Sequence, residues 1–339
     1  LATITKSIGT DSRDYETITL WEDDLGSTSG GSGNDAVGEC YPDSNFDEPL
    51  DINDATPDSI VLKPADAYYH DGTAGTGVTI IGSSDNYQFD ADCGYLRVEG
   101  LEFDMNGTSK YASKQIVLNT GPIYFNRCIV HDMLAGNGGY SAIEMNSNNY
   151  VSNCIFYDFN VTGSSASMFI FNLDYAPGDN NWVYNCVGDR ANCTTGSAAG
   201  VMGRWTTTSR KVINTAITNI TGNTHLCFDP ETNWVLTNCL DDDSTLPDSD
   251  GNLLGKDAAD QYVSNANGSE DYHLKAGADA IDTGTDLGTT PTGVNIDIDG
   301  RNRDSEGDTW DIGADEYVSA GPAAAQPPSR SLNLLGIGI

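Results

Sequence analysis

Hydrophobic and polar positions along YVSNCIFYDF (150–159) fit neither a helical stripe nor a clean strand alternation, and the phrase recurs along the chain. Aligned on it are VEGLEF (98–103), FNRCIV (125–130), VSNCIF (151–156), VYNCVG (183–188), VINTAI (212–217) and LTNCLD (236–241). Their first residues lie 27, 26, 32, 29 and 24 positions apart, an irregular repeat of roughly 28 residues and hence a solenoid period. The first column (Val98, Phe125, Val151, Val183, Val212, Leu236) and the fourth (Leu101, Cys128, Cys154, Cys186, Thr215, Cys239) read as inward-facing. Between them stand Gly100, Arg127, Asn153, Asn185, Asn214 and Asn238. Gly and Asn accept a left-handed backbone most readily, so this column predicts a sharp bend, with Arg127 as its exception. The Asn serves the corner, and the Cys fills the interior behind it.

Further strands follow the same plan. QIVLN (115–119), AIEMN (142–146) and FIFNL (169–173) alternate apolar and polar residues before turn-rich stretches, and SIVLKP (59–64) and VTIIG (78–82) read as earlier coils. Near the start, DYETITLWEDDL (14–25) sets Ile18, Trp21 and Leu25 at helical spacing, with Asp and Ser residues ahead of it as caps, and predicts a helical lid on the first coil. The Asn corners and interior ladders over about residues 55–245 resemble the right-handed parallel β-helix proteins. That resemblance implies an all-β, single-stranded right-handed parallel β-helix and leaves activity open. Residues 271–317 carry DYHLKAGADAIDTG and NIDIDGRNRDSEGDTWDIGADEY. They are similar to the closing module of bacterial and viral surface β-helix proteins, through Tyr272, His273, Leu274, Ala280, Ile281, Asp282, Asp297, Asp299, Gly300, Arg303, Asp311 to Ala314, Glu316 and Tyr317. The opening TITKSIGTDSRDYETITLWEDDL and YYHDGTAGTG (68–77) resemble segments of β-helix proteins encoded by bacteriophages. The expected organisation is a cap (1–55), coils (56–245), closing module (246–318), and a Pro/Ala linker with an apolar tail (319–339).

Composition narrows the partners. Sixteen Lys and Arg against 50 Asp and Glu leave a net charge of −34, which removes the attraction that binds nucleic acid or anionic lipid. No stretch approaches the roughly 20 apolar residues of a membrane span, and the first residues lack the apolar middle of a secretory signal. The expectation is a chain with its signal removed, or one that leaves its cell by lysis with a virus particle. Cys128, Cys154, Cys186 and Cys239 read as a reduced structural stack beside Asn153, Asn185, Asn214 and Asn238, while Cys40, Cys93, Cys193 and Cys227 fall outside it.

Chemistry is sparse. A polysaccharide lyase needs a basic residue beside a carboxylate-neutralising group, and Lys110, Lys114, Arg127, Arg204, Arg210 and Lys211 do not converge in the sequence; no catalytic residue is assigned. Asp104, Asp132, Asp158 and Asp189 follow the apolar strand once per coil and read as one acidic row, beside Tyr157, Tyr175, Trp182 and Trp205 for stacking on sugars. DIDGRNRDSEGD gathers Asp297, Asp299, Asp304 and Asp308, hard oxygen donors that suit a structural Ca²⁺; no cofactor is required. Sequons at Asn106, Asn160, Asn192, Asn219 and Asn267 are expected by chance in a chain this rich in Asn, Ser and Thr. In the tail, Leu332, Leu334, Leu335, Ile337 and Ile339 suit docking on another virion protein or a second copy. The function expected is a non-enzymatic virion surface protein (capsid decoration, fibre or tail component) with a glycan as a further partner. The alternatives are a tailspike-like or secreted polysaccharide-degrading enzyme and a bacterial surface adhesin.

Overall fold

The computed structural model describes residues 2–54, 56–82, 88–106, 114–136, 139–163, 167–173, 180–203, 210–229, 234–306 and 309–319, with the main chain alone at 114 and 115. The chain winds into a β-solenoid of about six turns, each laying one strand on three faces. The first face is a nine-stranded parallel sheet running from Ala2–Ile8 through Asn34–Cys40, Ser59–Pro64, Leu96–Glu99, Ile123–Asn126, Tyr150–Ser152, Trp182–Tyr184 and Arg210–Ile213 to Trp234–Thr237. The second face includes Glu102–Asp104, Ile129–Ala135, Ile155–Val161 and Ala216–Thr218. Its third counterpart includes Phe89–Ala91, Gly139–Ser147, Ser167–Asn172 and Thr221–Asp229. The 16-residue strand Val187–Met202 serves both, pairing with Ile155–Val161 at its start and Ser167–Asn172 at its end, and so joins them into one 13-stranded sheet.

Strand pairing fixes the columns. Val98, Phe125, Val151, Val183, Val212 and Leu236 pair in sequence and are buried in one core. The bend follows two residues later with φ of 68° at Gly100, 52° at Arg127, 54° at Asn153, 51° at Asn185, 52° at Asn214 and 49° at Asn238. Arg127 therefore takes the same left-handed turn as the asparagines. Behind the bend, Cys128, Cys154, Cys186 and Cys239 are buried and free. The Cys154 thiol donates to the Ser152 carbonyl at 3.0 Å and Cys186 to Tyr184 at 3.1 Å. Thr215 fits the same column because its hydroxyl makes the equivalent bond to Ile213, also at 3.1 Å. Cys40, Cys93 and Cys227 are buried and free as well, and Cys193 is buried.

The helix near the start is shorter than the sequence suggests, Ile18–Glu22, and its cap is Thr17, whose hydroxyl accepts from Leu20 N–H at 3.1 Å, rather than an Asp or Ser. Ile18, Trp21 and Leu25 enter the main core. After the last rung, Asp241 accepts from the N–H groups of Ser244, Leu246 and Gly255, folding that loop so that Leu246 joins the same core. No described helix is long and apolar enough to cross a membrane.

Residues 253–317 run back along the flank of the coils. Ile129, Ile155, Val187, Ala216 and Leu240 point out of the second face and form a second core with Tyr262, Tyr272, Leu274, Ala280, Ile298, Ile312 and Ala314. The second-face strands are thus buried on both sides and read as continuous apolar runs, which is why YVSNCIFYDF resists a periodicity. The corner column anchors the returning segment: Asn238 Nδ2 donates to Thr283 O at 2.7 Å, Asn214 to Thr285 O at 2.8 Å, Asn185 to Val294 O at 2.9 Å and Asn153 to Gly293 O at 3.0 Å. Arg127 reaches the Ile298 carbonyl at 3.4 Å in place of an amide. Three of the amides also bond one another in the stack, Asn185 to Asn153 at 3.1 Å and Asn214 to Asn185 at 2.9 Å.

Asn185→Ala strains the left-handed backbone and strands buried acceptors, so it is expected to lower stability by about 2–4 kcal/mol. Asn185→Gly keeps the bend and loses only the bonds, about 1–2 kcal/mol. Denaturant unfolding of the two variants checks the split.

Candidate functional site

A second left-handed bend follows the second face. Asp132, Asp158, Arg190 and Asn219 have φ of 60°, 60°, 52° and 55°. Asp and Asn tolerate this conformation because their short side chains bond locally. The preceding outward column pairs Asp104, His131, Tyr157, Asp189 and Thr218. The acidic row expected from the sequence is therefore two columns: Asp104 and Asp189 stand on the strand, and Asp132 and Asp158 on the bend. The 32-residue spacing of the longer coil conceals the one-residue offset.

Along this bend runs a polar furrow. One part, 320 Å³, is lined by Asp104, Asn106, Asp132, Met133, Leu134, Asp158 and Asn160. It continues through Asp158 and Asn160 into a part of 470 Å³ lined also by Arg190, Asn192, Asn219, Thr221, Asn265 and Asn267. Asn160, Asn192 and Thr221 form a side-chain ladder, Asn192 Nδ2 donating to Asn160 Oδ1 at 3.4 Å and Thr221 to Asn192 Oδ1 at 3.1 Å. Asn106, Asn160, Asn192, Asn219 and Asn267, the five sequon asparagines, all line the furrow. Bend geometry and strand polarity select those residues, a signal scattered along the sequence and visible only once the coils stack.

The ionisable groups under the furrow are committed to one another. Arg190 holds Asp158 with two bonds, Nε to Oδ1 at 2.6 Å and Nη2 to Oδ2 at 2.8 Å, and also reaches Glu270 at 2.6 Å, Asp189 at 3.2 Å and the Asn265 carbonyl. Asp189 is fully buried and accepts from Thr218, Asn219 and the Tyr272 hydroxyl, each at 2.7 Å. Burial pushes its carboxyl upward, against those bonds and the Arg190 charge. His131 lies between carboxylates, Nε2 at 2.9 Å from Glu102 Oε1 and Nδ1 at 3.0 Å from Asp132 Oδ2. Burial opposes charge on both members of the His131 and Glu102 pair, yet their mutual bond wins: His131 is raised above its ordinary 6.5 and Glu102 held below 4.5. Glu102 is therefore ionised near neutrality, and His131 holds its proton more tightly than a free imidazole.

The aromatic residues do not join the acids as expected. Tyr157 is 4% exposed, with its ring 5.1 Å from His131 and 5.3 Å from Tyr272, so neither ring face is open to a sugar. Trp182 lies on the first face, stacked on Tyr150 at 4.4 Å, and Tyr150 stacks on Tyr124 at 4.9 Å. That stack was legible, since Arg97, Tyr124, Tyr150, Trp182 and Lys211 each precede a first-column residue. Tyr175 and Trp205 lie outside the described residues, as do Lys110, Arg204, Asp308 and the tail residues Leu332, Leu334, Leu335, Ile337 and Ile339.

Among the described residues of the 297–308 loop, Asp304 has different partners from Asp297 and Asp299. Asp304 accepts from Trp310 Nε1 at 3.1 Å and Asn295 Nδ2 at 3.2 Å, while Asp297 and Asp299 face His273 and Arg301. Arg303 is fully buried and donates to the carbonyls of Gly313 at 2.9 Å and Ala314 at 2.7 Å and to Glu316 at 3.0 Å. Asp311 accepts from the N–H of Asp282 and of Tyr317, both at 2.6 Å. The motif residues of 282–317 are thus consumed in holding that segment together. Burial pushes Asp311 up to about 6 and Glu316 up to about 7 despite Arg303.

Replacing His131 by Gln leaves Glu102 buried without its counter-charge, an expected loss of about 3 kcal/mol. The raised His131 value makes its contribution disappear as pH climbs beyond 6.5, and the lowered Glu102 value removes the other half as pH drops under 4.5. The difference between wild type and His131→Gln in urea is accordingly largest between those limits. No protein-family model matches the chain, and no curated protein matches it in sequence.

Proposed function

We propose that the chain is a non-enzymatic surface protein of a phage virion, a capsid decoration, fibre or tail component, that presents its furrow to glycans. The parallel β-solenoid supports this reading as a rod, wound in this proposal in the right-handed sense that parallel crossovers favour. Its single carrying observation is the Arg190 network: Asp158, Asp189 and Glu270 are all paired with one guanidinium. A glycosidase needs two carboxylates free to exchange protons with substrate, whereas a floor of fixed amides, hydroxyls and ion-paired acids suits the recognition of a sugar's hydroxyl groups.

One observation favours a polysaccharide-degrading enzyme instead. Asp132 is bonded to His131 but its side chain is 55% exposed toward the furrow, a placement open to proton transfer. Incubating the protein with a panel of bacterial and algal polysaccharides, while following binding, reducing ends and unsaturated products, separates the readings. The expected result is binding without turnover, weakened by Asn192→Ala; turnover abolished by Asp132→Asn would establish the enzyme.

Attachment is assigned to the tail, where Leu332, Leu334, Leu335, Ile337 and Ile339 would pair with another virion protein or a second copy. Deleting 319–339 is expected to abolish assembly in light scattering and incorporation into particles, with the melting temperature of the coils unchanged.

A further inference from the structure

Where the returning segment crosses the solenoid loop at Gly72, four carboxylates meet two basic side chains. His273 sits between Asp271 Oδ1 at 2.5 Å and Asp299 Oδ1 at 2.9 Å. Arg301 faces Asp299 Oδ2, Asp297 and Asp315. Four acids (Asp271, Asp297, Asp299, Asp315) thus share two basic partners (His273, Arg301), a surplus of two acids.

The surplus is buried and aimed. Asp297 is fully buried and Asp315 only 3% exposed. One oxygen of each is bonded, Asp297 Oδ1 to Arg301 N–H at 2.7 Å and Asp315 Oδ2 to Leu274 N–H at 2.8 Å. Their other oxygens, Asp297 Oδ2 and Asp315 Oδ1, have no hydrogen-bond partner. Both converge on Arg301 Nη1, at 3.9 and 3.8 Å, too far to bond, while that nitrogen donates to the Glu316 carbonyl at 3.3 Å. Ligand atoms of His273, Asp299 and Asp315 all lie within 4.8 Å of one another. A side chain at Gly72 would come within 2.7 Å of His273 Nε2 and 3.0 Å of Asp299 Oδ1, so the loop is pressed against the cluster.

We propose that Asp297 Oδ2, Asp299 Oδ2 and Asp315 Oδ1 form a binding site for one divalent, oxygen-seeking cation, Ca²⁺ foremost, which replaces the Arg301 guanidinium at their centre. Three carboxylate oxygens and water complete a Ca²⁺ shell, and the ion gives a partner to the two buried carboxylate oxygens that burial makes costly to leave unpaired. The Arg301 side chain is 39% exposed and can withdraw into water. His273 keeps the other Asp299 oxygen in place. The ligands differ from the set read in the sequence: Asp315, from the next motif, takes the part given to Asp304 and Asp308. The bound ion would fasten the returning segment beside Gly72.

Calorimetric titration and thermal melting of the full chain at pH 7 test the site. Ca²⁺ is expected to bind one to one and raise the melting temperature, with affinity reduced roughly tenfold or more in Asp315→Asn, as for removal of one partner of a buried charge contact. Arg301→Ala gives a measurement that does not depend on the folding of the Asp variant. It is expected to melt lower without Ca²⁺, to recover with it, and to bind Ca²⁺ more tightly than wild type. An Arg301→Ala protein whose melting Ca²⁺ leaves unmoved, or Ca²⁺ binding undiminished in Asp315→Asn, overturns the assignment.

Discussion

The side-chain amides of Asn153, Asn185 and Asn214 hold three things together: their own left-handed bends, a neighbouring amide in the stack, and a carbonyl of the segment 283–294. Most of the architecture follows from that coincidence. A bend at a fixed place in every coil puts the next residue, a small Cys or Thr, inside and the one after it outside. The outward residues form an apolar column, which needs a cover. The same amides that make the bend then position the cover, so the interior and the flank share one register.

Gly100 and Arg127 show how far the rule extends. Gly100 bends without an amide, and the space a side chain would fill is taken by the Tyr69 ring, 2.3 Å from where its Cβ would sit. Arg127 bends as a long side chain, and its guanidinium makes the carbonyl contact while lying 4.8 Å from the centre of the same Tyr69 ring. Three chemistries therefore occupy one column because the backbone demand is common, and only Arg127 and the asparagines reach the flank.

What the sequence discloses and what it hides divide along these lines. The period, the first-column ladder and the bend are local, carried by residues within six positions of each other, and they could be read directly. The second bend is half visible in the sequence: Asp132 and Asp158 belong to it, but Arg190 and Asn219 share their position, and Asp104 and Asp189 belong to the strand column instead. The Glu102 and His131 bond joins residues 29 apart on adjacent coils, with no local signature. The role of residues 271–317 was hidden for a related reason. Their motif could be recognised, but its partners are amides and apolar groups scattered over six coils, so neither its position on the flank nor its consumption of Arg303 and Asp311 followed from the motif. The surplus acidity also misled, since acids close in sequence proved to be divided among different partners.

A stack of coils that contact only their neighbours can gain or lose one with little effect on the others. The segment that returns along this stack changes that freedom. Its contacts span 171 residues at Arg127 to Ile298 and 45 at Asn238 to Thr283, so it measures the later part of the array as a ruler does, with one mark at each corner from Arg127 to Asn238. Duplicating or excising one of these coils would throw the remaining marks out of line. The number of coils in this stretch is therefore tied to the length of the strap, and a coil within it does not come and go independently of the others.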